Sequence, residues 1–281
     1  MKPTSAAKQL FFNTVKIDTK TAAGGSGTGT GFSFVYSENG EHYPFIVTNK
    51  HVVSNAVETG ITFITKKDGK PQLGNGFRLV IDRSLDLWHG HPDEDIDVTV
   101  IPLAPLENSL KELGQEVFIQ PVSEEIIASH DDLKGLDALE EITFIGYPNG
   151  LWDSKNLTPI MRKGYTATPI ELDFQGRPIF LIDASVFPGS SGSPVFVFNQ
   201  GSYVKDGNIN LGSRLIFVGI VAEVFVKQDL NDLLEISVPV ANKKLVTISN
   251  QMIDIGVVFK STTVIETIKS CINKYEGHRL C

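Results

Sequence analysis

Cysteine is nearly missing from this chain of 281 residues: Cys271 and Cys281 are the two it holds, both close to the C-terminus. That excludes a small core stapled by several disulfides and points to a reducing compartment, where both thiols are expected to be free. Long apolar runs are absent too, none nearing the ~20 residues of a helical membrane span. The opening stretch MKPTSAAKQLFFNTVKIDTK has only Leu-Phe-Phe as an apolar core, too short for a secretory signal. The expectation is a cytoplasmic protein without a membrane partner. Positive charge is in deficit, with 25 Lys and Arg against 33 Asp and Glu and a net charge of −8, which argues against nucleic acid as a partner.

What is present is strand. Hydrophobic content of 41% and charged content of 21% suit an ordinary folded protein. Runs rich in β-branched and aromatic residues recur between turn clusters: GFSFVY, YPFIVTN, GITFIT, FRLVID and DVTVIPL, then EITFIGYP, PIFLID, SPVFVF, LIFVGIVAEVFV and EISVPV. Their number and spacing predict an all-β barrel or sandwich rather than alternating βα units. A polar, partly helical segment, 106–140, separates two β-halves at about 9–105 and 141–245. Residues 246–281 read as an extension. Within it STTVIETIKSCINKY puts Val264, Ile268, Cys271, Ile272 and Tyr275 on one face of an amphipathic helix, with Thr263 and Glu266 spaced as a capping box.

Three motifs fail on inspection. The stretch GGSGTGTGF (24–32) lacks the Gly-Lys-Ser/Thr of a phosphate loop and leads into a strand, where such a loop opens a helix. HGHPDED (89–95) resembles the start of a zinc motif, but only His130 and His278 follow, too few ligands for a closed site. No metal and no cofactor are expected. VFPGSSGSPVF (186–196) has Ser where an α/β-hydrolase elbow has its second Gly, and that fold needs Asp and then His after the Ser. On its own this window reads equally well as a polar turn between strands.

The opposite chain order does fit. FIVTNKHVV (45–53) is an apolar strand running into His51, EDIDVTVIPL (94–103) sets Asp97 before a strand, and DASVFPGSSGSP (183–194) carries Ser191. In His, Asp, Ser order these windows resemble the signatures of chymotrypsin-fold (trypsin-like) serine peptidases, most of all the bacterial, disulfide-free branch of high-temperature-requirement proteases and glutamyl endopeptidases. GTGF (29–32), GYP (146–148) and FVGIVAEV (217–224) extend the likeness over roughly 9–245. The resemblance implies two six-stranded antiparallel β-barrels and endopeptidase chemistry through an acyl-enzyme, on a protein or peptide substrate. A serine hydroxyl needs a base, an imidazole titrates near neutral pH, and a carboxylate must orient that imidazole. Ser191, His51 and Asp97 are assigned those parts, with Asp93 and Asp95 as competitors of Asp97. The backbone N–H groups of Gly189, Ser190 and Ser191 are expected to form the oxyanion hole.

The specificity pocket departs from the family. Ser185 stands where trypsin-like enzymes carry a selecting Asp, Val186 and Val221 replace the Thr and His of the glutamyl enzymes, and Ala222, Glu223 and Val224 form the pocket wall. The position that pairs with a new N-terminus in trypsin-type zymogens is Ser190, so that switch cannot operate. An activating partner or the substrate is expected to order 187–191. A catalytically silent, peptide-binding relative is the alternative.

Overall fold

The computed structural model describes residues 2–128, 130–205, 207–232 and 246–279; for 124, 130–131, 223–232, 246–253 and 276–279 it describes the backbone alone. Cys281 lies outside the described residues. After a short helix α1 (Ala6–Leu10), the first half is built from β1 (Thr14–Thr21), β2 (Ser26–Glu38), β3 (Glu41–Thr48), the one-turn helix α2 (Lys50–Val53), β4 (Ala56–Lys67), β5 (Lys70–Asp82), β6 (His89–Gly90) and β7 (Thr99–Pro102). Alternation decides which faces are buried. In β1, Val15 and Ile17 lie inside while Lys16 is only partly covered, because successive side chains of a strand point to opposite faces.

These strands form a sheet in the order β5-β4-β1-β2-β3-β7-β6. The segment expected as a mere connector adds helix α3 (Leu103–Glu112), β8 (Val117–Phe118) on β4 and β9 (Val122–Ser123) on β2, making nine strands, before helix α4 (His130–Lys134). The expected six-stranded barrel does not close here among the described residues. Strand β6 ends after two residues, because Pro92 has no N–H to give a ladder and the exposed acids 93–95 follow it.

The second half does close. Strands β10 (Glu141–Gly146), β11 (Ile160–Thr166), β12 (Ile179–Asp183), β13 (Pro194–Asn199), β16 (Arg214–Asp232) and β17 (Val246–Lys260) form a barrel in the order β10-β11-β12-β17-β16-β13, and β14 (Ser202–Lys205) with β15 (Asn208–Leu211) makes a separate hairpin. The sixth barrel strand lies beyond the expected limit at 245. Val257, Val258 and Phe259 are buried and pair in turn with Leu181, Phe180 and Ile179 of β12, so this strand belongs to the core and not to an extension.

Helix α5 (Ser261–Arg279) follows β17 directly. Val264, Ile268, Cys271 and Ile272 are buried in the cluster that joins the halves, together with Phe32, Phe34, Phe196 and Phe217. Phe217 is the centre of that cluster, with the other three rings 5.4 to 6.0 Å away. At about 1.5–3 kcal/mol for each buried aliphatic side chain, Val264, Ile268 and Ile272 alone hold the helix firmly. Tyr275, expected on the same face, is 42% exposed. The expected capping box is not used: the helix starts two residues earlier, at Ser261, Thr263 Oγ1 bonds the Lys260 carbonyl at 2.8 Å, and Glu266 faces His91 Nε2 at 3.2 Å.

Candidate active site

Strand β3 delivers the first group. Its apolar run ends at Thr48, whose Oγ1 donates to the Thr30 carbonyl at 2.7 Å. Asn49 then turns the chain into α2 and donates from Nδ2 to the Asp97 carbonyl at 2.6 Å. His51 therefore sits one residue into a helical turn that Asp97 grips twice: Oδ1 accepts the His51 N–H at 2.9 Å and Oδ2 faces Nδ1 at 2.5 Å. This leaves Nε2 as the ring nitrogen that can exchange a proton elsewhere. The His51 side chain is 49% exposed and that of Asp97 19%. Of the three candidate acids, Asp97 is the one that meets His51; Asp93 instead accepts Lys50 Nζ on its carbonyl at 2.7 Å and the Asp95 N–H on Oδ1 at 2.9 Å.

The loop from β12 to β13 delivers the second group. Ser190 N–H donates to the Phe187 carbonyl at 2.9 Å, closing a turn with Pro188 second and Gly189, at φ +84°, third. Pro then Gly with positive φ is the type II pattern. A Cβ on Gly189 would lie 2.5 Å from the Tyr147 carbonyl, so glycine is required twice over, by conformation and by contact. Among the described residues no group of the chain accepts the N–H of Gly189 or of Ser191. The Ser190 N–H, expected alongside them, is taken up in closing the turn and cannot serve an oxyanion. Ser191 Oγ donates to the Ala222 carbonyl at 2.9 Å.

Both groups open on one cleft of about 400 Å³, lined by His51, Val52, Pro188, Gly189 and Ser191 and by the 25–28 edge of the β1–β2 hairpin. The glycine run rejected above as a phosphate loop forms this edge and the strand after it. A Cβ on Gly29 would fall 2.4 Å from Val52 Cγ1, so the bare backbone lets α2 seat His51 against β2.

A family model for the trypsin-like peptidase domain matches residues 29–204, more than half of the chain and all three windows. The chain belongs to this family. Solved structures of proteases resemble it at low identity. The Rv3671c protease of M. tuberculosis in its active form is 15% identical with a TM-score of 0.46, over 92% of this chain and 81% of that one. The scabies mite inactivated protease paralogue S-I1 is 12% identical with a TM-score of 0.43, over 96% and 98%. No curated protein matches the chain.

Of the expected pocket residues, Ala222 meets Ser191 through its carbonyl. Ser185 is exposed and Ala222 buried, and neither lines the 400 Å³ cleft. Glu223 and Val224 pair with Val257 and Gly256 of β17, and their side chains lie outside the described residues. Sequence reasoning missed two residues that tie the site together: Thr30, whose carbonyl accepts Thr48 Oγ1, and Asn49, which donates to the Asp97 carbonyl. Asn49 carried a readable signal, a polar residue at the end of an apolar strand directly before His51. Among the described residues no helix is long and apolar enough to cross a membrane.

Proposed function

We propose that this trypsin-like domain is a serine endopeptidase. One observation carries the reading: His51, held on both its backbone N–H and its Nδ1 by the carboxylate of Asp97, shares a cleft with Ser191 and with the N–H groups of Gly189 and Ser191, which no acceptor takes among the described residues. In this reading His51 Nε2 takes the Ser191 proton as Oγ attacks a peptide carbonyl. The oxyanion forms against Gly189 N–H and Ser191 N–H, where losing one such donor typically costs about 10²–10³ in rate. His51 then passes the proton to the leaving amine, and water attacks the acyl-enzyme by the same route. The negligible cysteine content supports a reducing, intracellular setting. The turn is tied by the chain's own groups, including Asn149 N–H on the Pro188 carbonyl at 2.5 Å, which favours a turn set by the chain itself over one ordered by an activating partner.

The hydrogen bond from Ser191 Oγ to the Ala222 carbonyl favours a second reading, a silent relative that binds peptides in the same cleft. Labelling with a fluorophosphonate separates the two. The peptidase reading expects Ser191 to be labelled, with labelling abolished in Ser191→Ala and His51→Ala. A folded wild-type protein that takes no label, alone or in lysate, supports the silent reading instead.

A further inference from the structure

Arg162 lies mid-strand in β11, opposite Phe144, with its guanidinium over that ring at 4.3 Å from the centroid. From there Nη1 donates to the Ser185 carbonyl and Nη2 to Ser190 Oγ, each at 2.8 Å. Ser190 is fully buried, and the same Oγ accepts the Phe187 N–H at 3.3 Å. One guanidinium thus ties the chain entering the turn to the residue directly before Ser191. Among the described residues no carboxylate pairs with Arg162, and its Nε is buried without a partner. Burial pulls its pKa down to about 10, so it is still a cation at neutral pH. A cation partly withdrawn from water, with no counter-ion among the described residues, costs free energy. A buried Leu or Met would fill the space over Phe144 without that cost but could not grip Ser185 and Ser190.

We propose that Arg162 is a positioning residue of the peptidase site: acting through Ser190 and Ser185, it holds the 187–191 turn in the form that leaves the Gly189 and Ser191 N–H groups facing the cleft. The inference rests on the peptidase reading and adds its means of control. At Ser190, where a new N-terminal amine has nothing acidic to pair with, an internal guanidinium sets the turn, and no cleavage of the chain is needed. Planar two-pronged donation is what the task requires, and arginine supplies it where lysine cannot.

The test uses the full chain as wild type, Arg162→Gln, Arg162→Lys and Ser190→Ala, with two readouts on the same samples. Amide hydrogen exchange reports the turn itself, since the N–H groups of Ser190, Gly192 and Ser193 are all bonded within or beside it. The rate constant of Ser191 labelling, per titrated active site, reports the chemistry. Arg162→Gln and Ser190→Ala are expected to speed exchange in 186–193 at least ~10-fold with the barrel strands unchanged, and to slow labelling by about 10²-fold, the scale of a misplaced oxyanion donor. KM for a peptide stays within about threefold, a fifth protein combining Arg162→Gln with Ser190→Ala is no slower than the slower single variant, and Arg162→Lys recovers only part of the rate. Wild-type exchange and wild-type labelling in Arg162→Gln would overturn the proposal, as would a loss that only tracks the folded fraction. If even wild type takes no label, the peptidase reading fails while exchange still decides the role of Arg162: faster exchange keeps it as the anchor of the turn, and unchanged exchange removes it.

Discussion

Thr30 Oγ1 donates to the Gly189 carbonyl at 2.9 Å, joining strand β2 of the first half to the turn beside Ser191 in the second. The same hydroxyl accepts the Tyr147 N–H at 3.1 Å, and the Thr30 N–H donates to the Ser191 carbonyl at 2.9 Å. Two glycines make room for this junction. A Cβ on Gly146 would fall 2.5 Å from Thr30 Oγ1, and one on Gly192 would fall 1.8 Å from the Thr30 carbonyl oxygen. The GTGF, GYP and GSSGS motifs therefore meet at one threonine.

Replacing Thr30 by valine keeps the shape and removes the hydroxyl, leaving the buried Tyr147 N–H and the Gly189 carbonyl each without a partner. An unsatisfied buried group costs about 1–3 kcal/mol. Thr30→Val is expected to lower the urea midpoint accordingly and to slow Ser191 labelling about tenfold or more. An unchanged labelling rate would show that the turn holds without its link to β2.

Asp97→Asn keeps an oxygen for the His51 N–H but offers His51 Nδ1 an amide instead of a carboxylate. The ring loses its enforced tautomer and the negative charge that stabilises the imidazolium. Peptide turnover is expected to fall about 10⁴-fold, with little change in the thermal midpoint. Turnover within tenfold of wild type would point to a different acid.

Helix α5 offers a stability test with a built-in reporter. Cys271 is buried, and burial pushes its thiol up to about 11, so native protein should react with thiol reagents only when the helix opens. Ile268→Ala leaves a cavity beside it, worth about 2–5 kcal/mol. In a Cys281→Ser background this variant is expected to modify Cys271 much faster and to unfold at lower urea. Equal reaction rates would mean that the helix opens independently of the core.

Acid should act through His89. Burial first, and then Lys274, hold its pKa below the ordinary histidine value, and its Nε2 lies 3.1 Å from Ser270 Oγ on α5. The unfolded chain therefore binds this proton more readily than the folded one. The stabilising contribution is whole above the ordinary histidine pKa and is lost as pH falls from there through the folded value. Thermal midpoints at pH 7.5 and 5.5 should show a drop that is smaller in His89→Gln. An equal drop in both proteins would assign the acid sensitivity to other groups.

The strand-rich character and the His, Asp, Ser order were legible because each rests on local pattern: an apolar run ending at His51, an acid before Val98, a glycine bend around Ser191. Barrel closure was not, since it depends on register between distant strands. Among the described residues the first half stays open where β6 stops after Gly90, short of Pro92, and the second closes only by drawing in β17, whose opening residues are too polar to read as core. Arg162 was hidden for a related reason. In IMRKGYT it reads as one more basic residue on a strand, and only the fold puts it over Phe144 and under Ser190. The histidines of HGHPDED likewise found their use in three dimensions, docking α5 at Ser270 and Glu266.

The placement of β17 and α5 sets the order of events during synthesis. A nascent chain that has emerged as far as residue 245 has five of its six barrel strands and no helix to seal Phe217 between the halves. Ser191, His51 and Asp97 have all left the ribosome by then, yet the barrel that shapes the serine turn is open. The peptidase reading therefore places the onset of activity after β17 and α5 have docked, late in synthesis rather than at the moment the three side chains emerge. A chain stopped at 245 is expected to take no fluorophosphonate label even though every reacting side chain is present.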